Sequence, residues 1–467
     1  MRKVKVFCFL LVTILFITSK IYSQEIEFIT HTITTSADGA GSVYAVDVDS
    51  DEDMDVLSTS WEDNKIAWYE NDGNENFTFH TITTSAEGAQ SVYAVDVDYD
   101  GDMDVLSASC FDNKIAWYEN DGNENFTPHT ITTAAVYAQS VYAVDVDGDG
   151  DMDVLSASFN DNKIAWYEND GEENFTPHTI TTDAVGAIQV FAVDVDDDGD
   201  MDVLSASYWD NKIAWYENDG EENFSTHTIT TSADLAYSVF AIDLDSDGDM
   251  DVLSGSTYMT IAWYKNDGNE NFTTHTITTG AVVKSVYAID LDGDMDIDVI
   301  SADSQEIAWY ENDGEEYFTH HTITTSVDNA YSVYAKDVDG DVDIDVLSAS
   351  CNDDKIAWYE NIPSTGIKEE NNLTIYNVLK NYPNPFNPST IIYFSVAQTL
   401  SFVTLDIYNI KGQKVKTLTN QQYSKGNHSV IWNGKDMNNE SVCSGIYLYK
   451  LNVNGKTEAV KKCLLLK

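Results

Sequence analysis

Seven stretches of this chain place aspartate at every second position over nine residues. The clearest reads Asp145-Val-Asp147-Gly-Asp149-Gly150-Asp151-Met-Asp153, and the others begin at Asp47, Asp96, Asp194, Asp243, Asp290 and Asp337. So many carboxylates in so short a loop repel one another unless a cation sits among them. Calcium takes about six to eight oxygens in flexible geometry, and short acidic loops supply them at alternate positions. In the second copy Asp96, Asp98 and Asp100 fit positions one, three and five, and Gly101 allows the sharp turn at six. Asp102 offers its carbonyl at seven and Asp104 closes the loop at nine.

Position twelve is Ser107 rather than Glu, and strands flank the loop, so it is an EF-hand-like loop outside an EF-hand. The third copy (Asp145, Asp147, Asp149, Asp151, Asp153) follows the pattern through Gly150. The fourth (Asp194, Asp196, Asp198, Asp200, Asp202) does so through Gly199, and the fifth (Asp243, Asp245, Asp247, Asp249, Asp251) through Gly248. The remaining three copies are Asp47, Asp49, Asp51 and Asp55; Asp290, Asp292, Asp294 and Asp298; and Asp337, Asp339, Asp341 and Asp345. They carry Glu52, Met295 and Val342 at position six. A left-handed backbone is costly there, above all for a β-branched residue, so weaker or altered sites are expected. The expected cofactor is calcium, at up to seven sites, four of them in regular loops.

Other residues that could do chemistry are copied with the repeat. His31, His80, His129, His178, His227, His275 and His321 recur once per repeat, but equivalent positions on separate units point apart, so packing beside Ile131 and its equivalents is expected rather than a zinc site. Lys336 replaces the Val or Ile of the other copies, beside Asp337, and a locally paired charge is expected. No nucleophile–base set, phosphate loop or unique carboxylate pair stands out, so nothing argues for an enzyme.

The elements that must position the loops follow from the period. Each loop leads to a copy of Ile-Ala-Trp-Tyr, with tryptophans at 68, 117, 166, 215, 263, 309 and 358, so the spacing is 46 to 49 residues. Such a period marks a repeat architecture. One unit reads as four strands, Ser91–Val97, Val105–Ser109, Lys114–Asn120 and Thr127–Thr133. The inner strands are apolar on both faces, as the blades of a propeller require. The expected fold is all-β: a seven-bladed β-propeller followed by a small C-terminal β-sandwich. A lone fourth strand near Thr30–Thr35 would complete the last blade and close the ring. Alternating strand direction puts the aspartate loops on one face. On the other fall the segments that vary between copies, with Trp61, Phe111, Phe159, Tyr208, Trp209 and Tyr258 as candidate ligand-binding residues.

The net charge is −56, and residues 24–362 hold 74 Asp or Glu against eight Lys or Arg. That excludes a nucleic-acid partner for this part, since phosphate contacts need clustered cations. Residues 1–23 read as a secretory signal peptide, and no later stretch is apolar enough for a transmembrane segment. Residues 24–362 form the propeller and 363–372 a linker, with 373–467 a separate domain. With Cys110, Cys351, Cys443 and Cys463 remaining in the mature chain, no disulfide framework is expected.

The motif Asp-x-Asp-x-Asp-Gly-Asp-x-Asp-Val-Leu, with Trp-Tyr-Glu-Asn-Asp-Gly after it, resembles the FG-GAP/VCBS-like repeats of secreted and surface proteins. That resemblance implies calcium-binding propeller blades over 24–362. In the tail, Tyr382-Pro-Asn-Pro-Phe-Asn-Pro-Ser-Thr390, Ile407-Tyr-Asn-Ile-Lys-Gly412, Ser444-Gly-Ile-Tyr447 and the closing Lys461–Lys467 are similar to the type A C-terminal sorting domain of the type IX secretion system. This implies export by that machinery and an extracellular or outer-membrane-surface location in a Bacteroidota-type bacterium. The function expected is a binding or adhesion module for a glycan or surface macromolecule. A polysaccharide lyase or hydrolase and a structural surface-layer protein are the alternatives.

Overall fold

The computed structural model describes residues 26–258, 260–363, 379–382, 389–396, 401–409, 411, 413–424, 426–437, 441–442, 444–453 and 456–465. The expected signal peptide, most of the linker, the Pro383–Pro388 run and Cys443 lie outside the described residues. Regular structure among the described residues is all β, in two compact units, Met1–Gly366 and Ile367–Lys467.

The first unit consists of seven four-stranded antiparallel sheets. In the second sheet the strands are Ala89–Val95, Asp104–Ser109, Lys114–Asn120 and Phe126–Thr132. The Asp-Val-Leu-Ser-Ala-Ser strand is buried at every residue, as a strand covered on both faces must be. Cores lie between neighbouring blades: Leu106 and Trp117 of one pack with Val141, Val154 and Tyr167 of the next. The fourth strand is the outer edge, where Pro128, which has no N–H to donate, is accommodated opposite Tyr118. The innermost strand begins two residues earlier than expected and ends at Val95, because Asp96 already opens the acidic loop.

Closure of the ring is visible in pairing and in side chains. Strand Ile26–Thr34 pairs antiparallel with Lys355–Pro363 and completes the seventh sheet. Asn120 Nδ2 donates to the Val48 carbonyl of the preceding blade at 3.2 Å. The same latch joins the first blade to the last, from Asn71 to the Val338 carbonyl at 3.1 Å. Around the axis Tyr44, Tyr93, Tyr142, Phe191, Phe240, Tyr287 and Tyr334 form an unbroken aromatic ring, each centroid 4.7 to 5.1 Å from the next.

In the second unit, strands Leu379–Tyr382, Thr390–Val396 and Gly426–Trp432 form one sheet. Lys414–Tyr423, Ser401–Asn409, Gly445–Val453 and Lys456–Leu465 form another. The core gathers Ile392, Phe394, Leu405, Ile407, Trp432 and Leu451. Two of these strands, Leu379–Tyr382 and Lys414–Tyr423, are not evident from the sequence. The second is a sheet edge whose Lys, Thr, Asn and Gln residues hide its alternation.

Candidate metal loops and the opposite face

The acidic loop hangs between the two most central strands of each blade, and its last residue is part of the core. Asp104 is fully buried. Its Oδ2 accepts the Val97 amide at 3.0 Å and its Oδ1 the Asn120 amide at 2.8 Å. Position nine is thus a latch between loop and hairpin as well as a candidate ligand. Burial pushes its carboxyl up to about 7, against the lowering effect of those two amides.

Positions one, three and nine come together. In the first four blades a carboxylate oxygen from each lies within 4.8 Å of the other two: Asp47, Asp49 and Asp55; Asp96, Asp98 and Asp104; Asp145, Asp147 and Asp153; Asp194, Asp196 and Asp202. Burial first, and neighbouring carboxylates after it, raise the carboxyls of Asp98, Asp147 and Asp196. Asp96 Oδ1 and Asp292 Oδ2 are buried with no hydrogen-bond partner. An all-oxygen donor set with orphaned buried carboxylate oxygens fits a hard divalent cation such as calcium. Asp100, at position five, is exposed, and its Oδ1 accepts the Asp102 amide at 2.9 Å. Asp102 turns its carboxylate against Gly122, so closely that a Cβ at 122 would stand 2.4 Å from it. That leaves the carbonyl, not the carboxylate, as its possible contribution.

The three irregular loops keep the regular backbone. Glu52, Met295 and Val342 have φ of 78°, 81° and 91°, beside 100° to 102° for Gly101, Gly150, Gly199 and Gly248. The missing glycine therefore appears as strain rather than as a changed loop. The fifth loop, regular in sequence, differs for another reason. Lys265 stands where the other blades have glutamate, and its ammonium contacts Asp245 while lying 3.6 Å from Asp247 and 3.0 Å from Glu316. Hydrogen bonds to Asp245 and Glu316 raise the lysine pKa. This blade carries its own cation.

The opposite face is joined through its aromatic side chains. Trp61, Phe111, Tyr137, Phe159, Tyr208, Tyr237 and Tyr331 form a chain of neighbouring rings, with successive centroids 6.0 to 6.3 Å apart. Trp209 packs on Tyr208 and Phe159. Phe111, Trp209 and Tyr258 are more than half exposed, whereas Trp61 is held by a hydrogen bond to Cys351 Sγ across the closing seam. Blade linkers contribute through backbone hydrogen bonds, as from Phe111 to the Glu87 carbonyl at 2.9 Å.

The histidines have partners beyond those expected from the sequence. His129 stacks on Trp117 with centroids 4.5 Å apart, and its Nε2 lies 2.8 Å from Glu119, rather than simply packing beside Ile131. The Trp-x-Glu spacing on one strand with His opposite could have signalled this pair. Lys336 is exposed, so it lacks the burial that acid–base work would need. Cys110, Cys351 and Cys463 are buried and free.

Fold and loops together define a seven-bladed β-propeller with an acidic, cation-suited loop between the inner strands of its blades. Segments 47–107, 96–156, 145–205, 194–254, 243–300 and 290–348 each match the FG-GAP-like repeat, and the chain belongs to that family. Residues 387–458 match the FlgD Ig-like domain. No curated relative matches the sequence. Among solved structures, BBS1N in complex with ARL6DN aligns at TM-score 0.52 and 11% identity, over 75% of this chain and 100% of that one. Streptogramin B lyase aligns at TM-score 0.52 and 14% identity, over 72% and 98%. At these identities the likeness concerns the fold alone. Among the described residues, no helix is long and apolar enough to cross a membrane.

Proposed function

We propose that this chain is a secreted or cell-surface binding module, a calcium-stabilised propeller that presents its diversified face to a carbohydrate or surface macromolecule. The observation that carries this reading is a division of labour between copies. The acidic loops and Asn-Asp-Gly turns are nearly identical from blade to blade. The opposite face differs in every blade and gathers linked, partly exposed aromatic rings. Such rings stack on sugars or anchor protein partners.

Positions one, three, five and nine and the carbonyl of seven would hold calcium, which supplies the charge that lets the carboxylates stay ionised and close together. Six loops take the metal in this reading, and Lys265 stands in for it in the fifth. The C-terminal unit serves as a type IX sorting domain. Support for that role is the motif strings Ile407–Gly412, Ser444–Tyr447 and Lys461–Lys467, since the family match there is to a different domain.

A glycan and matrix-protein array, run with calcium and with chelator, tests the binding role. Saturable binding that is lost in Trp209→Ala supports it, and turnover of an acidic polysaccharide would replace it with an enzymatic reading. Secretion of a reporter fused to residues 363–467 that persists in a strain without type IX machinery would end the sorting proposal.

A further inference from the structure

The innermost strands of the seven blades are copies at almost every position. Their pattern is Ala-x-Ser-Val-Tyr-Ala-Val, and the other positions depart from it only in single blades or conservatively, as with Gln189 at position three, Lys336 at position seven and Phe for Tyr at position five. The second position is the exception: Gly41, Gln90, Gln139 and Ile188 on four blades, then Tyr237, Lys284 and Tyr331 on the other three. In every blade the strand pairing shifts register at this position, as between Ala89 and Ser91. A β-bulge leaves its extra residue unpaired and re-aims the side chain. Here all seven bulged residues line one cavity of about 110 Å³ on the ring axis, together with position-three side chains.

Position three is occupied structurally. Ser91 Oγ accepts the Val141 amide of the next blade at 3.4 Å, and Ser238 Oγ accepts that of Val286 at 3.1 Å. Position two makes no such repeated latch. The copies therefore diverge at the one register that faces the cavity and is released from pairing. Beyond it, the ring of Tyr and Phe at position five lies further along the same strands towards the acidic loops.

One member of the set is charged. Of the eight cationic side chains in residues 24–362, Lys65, Lys114, Lys163, Lys212, Lys265 and Lys355 each pair with an aspartate, and Lys336 is exposed. Lys284 is half-buried and has no carboxylate partner among the described residues. Its Nζ lies 2.6 Å from Asn329 Oδ1 and 3.4 Å from the centre of the Tyr331 ring. An ammonium left without a carboxylate, in a unit with so many, is available to one brought from outside.

We infer that this axial cavity binds a sugar bearing a carboxylate, with Lys284 taking the carboxylate and the amides of Gln90 and Gln139 taking hydroxyl groups. A single ammonium without arginine beside it suits a monovalent carboxylate better than a phosphate dianion. Several waters or one small ring fill the volume, so the site takes a single residue or a chain end, and the aromatic face around it takes the adjoining sugar units. The inference deepens the proposed glycan-binding role by naming the class of sugar.

The test is calorimetric titration of the calcium-loaded full chain with galacturonate, galactose and inorganic sulfate. Galacturonate binds more tightly than either of the others. Lys284→Gln weakens it by about tenfold or more, Lys284→Arg retains part of it, and Lys336→Gln leaves it unchanged. Galacturonate binding equal in the parent and Lys284→Gln, or no galacturonate binding at all, overturns the inference. Binding of neutral glycans through Trp209 with no role for Lys284 leaves the proposed function standing and removes only this site. Galacturonate binding through Lys284 with an otherwise silent array supports this site and the glycan-binding role together, and removes only the part assigned to the aromatic face.

Discussion

At the scale of single residues, the loops differ in ways that a repeat count hides. Val342 holds a left-handed backbone that a β-branched side chain resists. Val342→Gly is expected to raise stability by about 1 kcal/mol, after the entropic cost of glycine, read as a higher melting temperature. An unchanged or lower melting temperature would show that the loop is not strained. Lys265 makes a second case. Lys265→Glu removes the ammonium from Asp245 and restores the glutamate that pairs with histidine in other blades, so the chain should bind one more calcium. Native mass spectrometry would count it, and equal stoichiometry in the two proteins would refute the stand-in role. Val342 was readable as a departure at the glycine position, whereas Lys265 follows an acidic loop that is regular in sequence. That Lys265 reaches the acidic loop was not readable, because a strand residue and a loop 20 positions before it meet only in the folded hairpin.

Lys284 allows a pH prediction. Burial lowers its pKa to about 8, with a smaller opposing effect from Cys351, while Tyr331 and Asn329 are its nearest partners. A lowered amine pKa means that the charged form costs stability below about pH 8, and this cost fades as pH rises towards the unfolded value near 10.4. Galacturonate affinity should run the other way: level below about pH 7, then falling as the ammonium is lost. A flat profile to pH 9 in calorimetry would separate binding from this lysine.

At the scale of elements, the blade was legible from the repeat period and from inner strands apolar on both faces, and the closing strand from a lone fourth strand at the start. The bulge in each innermost strand was not legible, since the expected strand began only at Ser91, after the bulged residue. Only the pairing with Asp-Val-Leu-Ser exposes the extra residue. Strand Ile26–Thr34 covers the third strand of the last blade and stacks His31 on Trp358 at 4.4 Å. Deleting residues 26–34 should leave that edge open, lower the melting temperature and broaden the transition. A sharp, unshifted melt would mean that closure contributes nothing to the ring's cooperativity.

At the scale of the whole molecule, charge sets the conditions for folding. With a net charge of −56 and the acids crowded into repeated loops, cations bound only to the folded ring should stabilise it by mass action. Chelation is expected to lower the melting temperature, and added sodium chloride to recover part of the loss by screening. A melting temperature indifferent to chelator would dismiss calcium as the counter-ion.

The sequence by itself determined the repeat, the blade and the acidic loops, because periodicity and local turn chemistry are written in neighbouring residues. The tertiary structure alone decided which oxygens converge, which loop carries its own ammonium and where seven bulged residues meet. The oxygens converge because Asp104 is anchored across the hairpin to the Asn120 amide, the ammonium reaches its loop only in the folded hairpin, and the bulged residues meet only when the ring closes on its axis.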